Sequence, residues 1–155
     1  MDSPIVYDKA KYHWESVNNE GLPDGQEFVH TGFYLGWLIE KDLIDSEFLD
    51  EFLEAEINDF KNREITGPKI YELCDGALVD DMLTDEGNEF SQYYFDFEKG
   101  SFVSDYMKVF NVSGGNDFFG VSDSWENYEK IKVCFDSAYS KWKRKKSKKF
   151  WEIWK

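Results

Sequence analysis

The side chains able to do chemistry are few in kind. Two histidines, His13 and His30, are the groups whose ordinary titration lies near neutral pH. A general base needs an oriented partner and a zinc site needs spaced ligands. Neither histidine sits in an HExxH helix or beside a cysteine at metal-ligand spacing. The expectation is a pair of hydrogen-bonded core histidines, with no catalytic residue, no metal and no cofactor. The alternative is a small enzyme using His30 with a nearby carboxylate in a helical pocket. Cys74 and Cys134 are far apart, fall in apolar helical settings and read as reduced thiols. Neither Asp75 to Glu86 nor Asn111 to Ser122 supplies an EF-hand ligand order, and no GxSxG elbow, phosphate loop or dinucleotide fingerprint occurs.

Carboxylates are the abundant groups. The chain of 155 residues carries a formal net charge of −14, yet it also holds 14 Phe, 9 Tyr and 6 Trp. That aromatic content separates it from disordered acidic chains and gives one domain with a real core. Glu40 to Asp59 contains nine acids against Lys41 alone, and Ile70 to Glu98 contains nine with no basic residue. Solvated faces ordinarily intersperse both signs, so surfaces this one-sided would be relieved by a basic partner. The expected partner-binding residues are Glu47, Asp50, Glu51, Glu54, Asp80, Asp81, Asp85 and Glu86. The function expected from them is that of an immunity or antitoxin-like protein, which neutralises a basic toxin such as a nuclease by covering its cationic surface. The acidic body should repel nucleic acid.

The end of the chain has the opposite sign. Residues 141–155 hold eight basic side chains and one acid, interleaved with Trp142, Phe150, Trp151, Ile153 and Trp154. Such a segment could lie on an anionic membrane or bind nucleic acid as an adaptor. Docking on the acidic body, or fraying, is the favoured expectation. The N-terminal residues show no basic region followed by a hydrophobic core, so a cytoplasmic location is expected. The longest uncharged run, Phe28 to Ile39, is too short for a transmembrane segment, which needs about 20 apolar residues.

That run, FVHTGFYLGWLI, is the element around which the others should be arranged. It predicts a buried helix from about Gln26 to Lys41, with Gly32 and Gly36 on one face for close approach of a neighbouring backbone. Before it, Asp8 is expected to cap a short helix to about Val17, with Ala10, His13, Trp14 and Val17 sharing a face. After it, Ser46 should cap a helix carrying Phe48, Leu49, Phe52, Leu53, Ile57 and Phe60 as one stripe. Pro68 suits the first turn of a helix stopped by Asp75-Gly76, and Thr84 caps another through about Phe97, whose inward face is Phe90, Tyr93, Tyr94 and Phe97. Ser101 begins a helix ending near Phe110. Asn111 to Val121 should separate the acidic helical core, residues 1–110, from an extension, 111–155. Asp123 and Glu126 resemble a capping box at the start of a long last helix. The fold class is all-α: a single-domain bundle of about six or seven helices around the central one, with a C-terminal helical extension.

Tyr7-Asp8, His13-Trp14, HTGFYLGWLIEKDLI, ITGPKIYELCDGAL and LTDEGNEFSQYYFDF together resemble a family of small, uncharacterised bacterial proteins over about residues 7–110. The resemblance implies an all-α domain and a bacterial source. Some members of that family look like immunity or toxin-neighbour proteins, and the family carries no assigned activity.

Overall fold

The computed structural model describes residues 3–52 and 54–153, with the side chains of residues 50–52 and 116 outside that description. The chain is all-α apart from one small sheet. In order come β1 (Val6–Lys9), α1 (Trp14–Asn19), α2 (Val29–Glu40), α3 (Ser46–Phe52), α4 (Glu54–Lys61), α5 (Gly67–Leu73), β2 (Ala77–Val79), α6 (Asp85–Tyr94), α7 (Phe102–Phe110) and α8 (Trp125–Ile153). Short 3-10 turns occupy Ala10–Tyr12, Gln26–Phe28, Asp80–Met82 and Asn116–Gly120.

The uncharged run is the centre. Every residue of α2 from Val29 to Ile39 is buried, because the surrounding helices cover it on all sides. Its closest neighbour is α5. A methyl group added to Gly32 would lie 2.3 Å from Pro68 Cα, and one added to Gly67 would lie 2.3 Å from the Gly32 carbonyl oxygen, so the two backbones touch through glycine. On another side Tyr128, Ile131 and Phe135 of α8 enter the same core as Phe33, Tyr34 and Trp37. Trp37 donates its indole N–H to Asp136 Oδ1 at 2.9 Å, tying α2 to α8. Phe118 of the glycine-rich connection packs into this core too, and Gln26 donates to the carbonyls of Phe119 and Val121.

Several helix starts lie where the sequence put them. Thr84 Oγ1 accepts from the Gly87 N–H at 3.0 Å and caps α6. Two others differ by one residue. Asp45, not Ser46, caps α3 through Oδ1, and Ser124, not Asp123, accepts from the Asn127 N–H at the start of α8. Asp123 instead accepts from the Thr66 hydroxyl.

The N-terminal expectation is corrected. Asp8 does not cap a helix; it lies in β1, which pairs antiparallel with β2 in the register Val6 to Val79, Asp8 to Leu78 and Lys9 to Ala77. The backbone preference for strand pairing wins because β2 offers an edge that the sequence separates from β1 by some seventy residues. Helix α1 starts only at Trp14, whose ring is exposed rather than facing inward with Val17. Tyr93 and Phe97 are likewise exposed, and α6 ends at Tyr94. Phe52 and Leu53 of the expected apolar stripe lie outside the described side chains. Among the described residues, no helix is long and apolar enough to cross a membrane.

Candidate functional site

Two places bring together groups with chemical potential. The first is built on the β1–β2 pair. Helix α5 is stopped by Asp75 and Gly76, both left-handed at φ 60° and 63°, and the chain reverses into β2. Gly76 is required there, since a Cβ would meet Ala10 Cβ at 2.8 Å and its carbonyl receives the Ala10 N–H at 2.7 Å. This reversal fixes β1 against the core and turns Asp8 inward, where it is 2% exposed.

Three side chains meet Asp8 there. His13 Nε2–H donates to Oδ1 at 2.7 Å, and Thr31 Oγ1 donates to Oδ2 at 2.6 Å. His30 Nε2 lies 3.4 Å from Oδ2 without the geometry of a hydrogen bond. The His30 ring is 1% exposed and neither of its nitrogens has a hydrogen-bond partner. Burial would raise the Asp8 carboxyl, yet its hydrogen bonds and the two imidazoles outweigh that and hold it well below the usual carboxylate range. For His30 burial dominates over the pull of Asp8, so its affinity for a proton falls below that of an ordinary histidine. The rings of Phe118 and Phe119 stand 5.2 and 5.6 Å from His30, centroid to centroid, and wall the cluster with aromatic carbon.

The second place is a cavity of about 400 Å³ on the surface. Phe48, Leu73, Ala77, Val79 and Met82 make it apolar, and Asp75 and Asp81 stand among its lining. The segments forming it are joined by backbone bonds: Asp45 N–H to the Met82 carbonyl at 2.9 Å, and Thr84 N–H to the Leu43 carbonyl at 2.9 Å. Strand alternation turns Leu78 into the core and leaves Ala77 and Val79 half-buried in the cavity wall.

The eight residues expected to bind a partner do not all share this surface. Glu47, Asp81 and Asp85 are exposed and Asp80 is half-buried, on the segments that flank the cavity. Glu54 is exposed at the start of α4. The side chains of Asp50 and Glu51 lie outside the described residues. Glu86 points elsewhere: it accepts from the Tyr139 hydroxyl and pairs with Lys143 of α8.

That last contact is part of a division of charge. Lysines of α8 pair with Glu40, Glu86 and Glu89, and Trp142 is buried beside them, so the basic end docks on the body as far as Lys146. Beyond it Trp151 and Ile153 are exposed, and Trp154 lies outside the described residues. Among the described residues, no lysine, arginine or histidine pairs with Glu47, Glu54, Asp75, Asp80, Asp81 or Asp85. The acids without a basic partner therefore include those on the segments flanking the cavity and Glu54 of α4.

A family model described as a domain of unknown function, DUF7832, matches residues 6–118. The chain belongs to the DUF7832 family. The matched DUF7832 region runs from β1 into the Asn116–Gly120 turn, ending at residue 118, so it contains Asp8, His13, His30 and the whole cavity lining, while α8 lies beyond it. No curated protein and no solved structure matches the chain. The sequence motifs that resemble a family have visible structural duties here. Gly32 and Gly67 permit the α2–α5 contact, Gly76 turns into β2, and Asn88 donates to the Asp80 carbonyl while accepting from the Tyr7 hydroxyl. His30 packs among the rings of Phe97, Phe102, Tyr106, Phe118 and Phe119, but its two nitrogens make no hydrogen bond.

Sequence reasoning missed the cavity and the joining of Asp8 to the histidines. One signal for the latter was present: a histidine inside an otherwise uncharged helix requires a polar partner or pays to be buried, and Asp8 was the carboxylate preceding His13 by five residues.

Proposed function

We propose that this protein is a binding protein of the immunity or antitoxin kind, which captures a basic protein partner at the acid-rimmed cavity and blocks that partner's cationic working surface. The observation that carries the reading is the local one: Asp75 and Asp81, acids without basic counterparts, line an apolar hollow of about 400 Å³ with Glu47, Asp80 and Asp85 on the neighbouring segments, while lysines of α8 pair with Glu40, Glu86 and Glu89. An apolar anchor of the partner would fill the hollow between Phe48, Leu73 and Met82. Its lysines or arginines would meet Glu47, Asp81 and Asp85. Long-range attraction would speed encounter and the buried anchor would slow release. The alternative of an enzyme using His30 as a base on a diffusing substrate has less support, because that ring is 1% exposed.

The test begins with the protein encoded beside this gene. Its toxicity in a heterologous cell should be suppressed by co-expression of the chain, and the purified pair should associate at a rate that falls steeply with added salt. Charge reversal by Glu47→Lys, Asp81→Lys and Asp85→Lys together should weaken the complex by tenfold or more. A salt-insensitive association rate, or an affinity untouched by the triple reversal, would overturn the reading.

A further inference from the structure

Among the described residues, Asp8, His13 and His30 bring three metal-ligating atoms within 4.8 Å of one another. We propose that these residues form a binding site for a single divalent transition-metal ion, of which zinc is the reference case. This inference is independent of the partner-binding reading, since none of its three ligands lines the acidic cavity.

Three features argue for it. The first is spacing. Donors bound to tetrahedral zinc at about 2.0–2.1 Å stand roughly 3.3 Å apart. The contact from His30 Nε2 to Asp8 Oδ2 is 3.4 Å, and His13 Nε2 lies 2.7 Å from Asp8 Oδ1. A shift of His13 Nε2 by a fraction of an ångström, with loss of its donated proton, opens the remaining distance. The second feature is His30 itself. Its ring is buried, its two nitrogens are unpartnered and one of them faces the carboxylate. A buried polar group without a partner is costly, because it has given up its hydrogen bonds to water and gained none in return. Coordination would remove that cost at Nε2. The third is support around the ligands. Thr31 donates to Asp8 Oδ2 and is itself fully buried, the kind of outer hydrogen bond that orients a metal-binding carboxylate.

The donor set selects the class of ion. Two imidazoles and one carboxylate suit zinc, cobalt, nickel or iron in the divalent state, whereas calcium and magnesium take oxygen donors. Three protein ligands leave at least one coordination position for water or another small donor. His13, with a side chain 18% exposed, is the ligand nearest solvent and gives the ion its way in.

The test uses the full chain stripped with EDTA, then titrated with zinc chloride by calorimetry and with cobalt chloride by visible absorption. The expected result is one equivalent bound, cobalt bands of a low-coordinate nitrogen and oxygen site, and a higher Tm with zinc. His13→Gln, at the ring nearest solvent, should fold normally by circular dichroism and weaken zinc by at least tenfold. Thr31→Val should weaken it by about tenfold through the carboxylate alone. His30→Gln should abolish the cobalt bands. Absence of stoichiometric binding to the unmodified chain overturns the proposal. So does binding that His13→Gln and His30→Gln leave unchanged, which would place the metal on the surface acids.

Discussion

Replacing Gly32 by alanine puts a methyl carbon 2.3 Å from Pro68 Cα, 2.6 Å from Pro68 N and 2.9 Å from Pro68 Cβ. Non-bonded carbons are comfortable at about 3.5–4.0 Å, so α2 and α5 would have to separate by roughly 1 Å or more. The obstacle is backbone and a proline ring, neither of which can rotate away. Overpacking of a tight core costs about 1–3 kcal/mol and occasionally more. Against that, alanine gains about 0.8–1.0 kcal/mol over glycine in a helix interior. The contact at 2.3 Å places this substitution at the upper end, for a net loss of about 2 kcal/mol. Gly36→Ala is the matched control on the same helix. Its methyl would meet Phe60 Cζ at 3.2 Å, which a small turn of the phenyl ring relieves, and Gly67 Cα at 3.3 Å, where the backbone has to give by only a few tenths of an ångström. The helix gain then offsets most of the strain, and stability should stay within about 1 kcal/mol of the parent. Thermal and urea unfolding of both variants decide the matter. At roughly 2–4 °C per kcal/mol for a chain of this size, Gly32→Ala should melt about 4–8 °C lower. If Gly32→Ala proves as stable as Gly36→Ala, the backbone contact between α2 and α5 does not exist as described.

Two further predictions concern other parts of the frame. Burial opposes the charge of Asp136, but the Trp37 indole and the Lys41 ammonium, each at 2.9 Å, outweigh it and hold the carboxyl below its ordinary range. Its contribution to stability is therefore present above the unfolded pKa of about 4 and is lost as pH falls through the lower folded value. Because the carboxylate is 39% exposed, Asp136→Asn should cost below about 1 kcal/mol at pH 7, and urea unfolding should show the difference shrinking towards pH 3. An equal difference at both pH values would refute the assignment. The Cys74 thiol is pushed up to about 11, first by burial and then by Asp75. At pH 7 only about one such thiol in 10⁴ is ionised, so iodoacetamide followed by mass spectrometry should label Cys74 slowly in the native chain and rapidly in urea. Labelling of native Cys74 at the rate of an exposed cysteine would contradict its raised pKa.

The helical part of the fold was open to reading because its signals are local. An uncharged run announces α2, a threonine cap announces α6, and seven residues at helical spacing from Trp125 to Trp142 announce the inner face of α8. The sheet was hidden for a physical reason. A strand of three residues is too short to show a period, and β1 carries a charged residue on its buried side, which runs against the usual pattern. Asp8 before a stretch of helix-compatible residues imitates an N-cap, and nothing nearby in sequence reveals the pairing with Leu78 that overrules it. The same limit applies to function. The acidic zones could be counted, but which acids are neutralised depends on where α8 runs, and that is a tertiary fact: Glu86 is engaged by α8, whereas Asp81 and Asp85 are not.

The pairing of β1 with β2 has a further consequence for separating the two proposals. Leu78 of β2 faces the core opposite Asp8, while Ala77 and Val79 on either side of it face the cavity. One short strand thus stands between the candidate metal ligands and the candidate docking surface, and a substitution that unpairs it would disturb both. Variants at Asp8 or within β2 therefore cannot discriminate between them. His13 and Glu47 can, because His13 lies in the turn leading into α1 and Glu47 on the exposed side of α3, and neither takes part in the strand pairing. Loss of metal with partner binding intact in His13→Gln, and the converse for reversal of the acidic rim, is the pattern that two independent sites require.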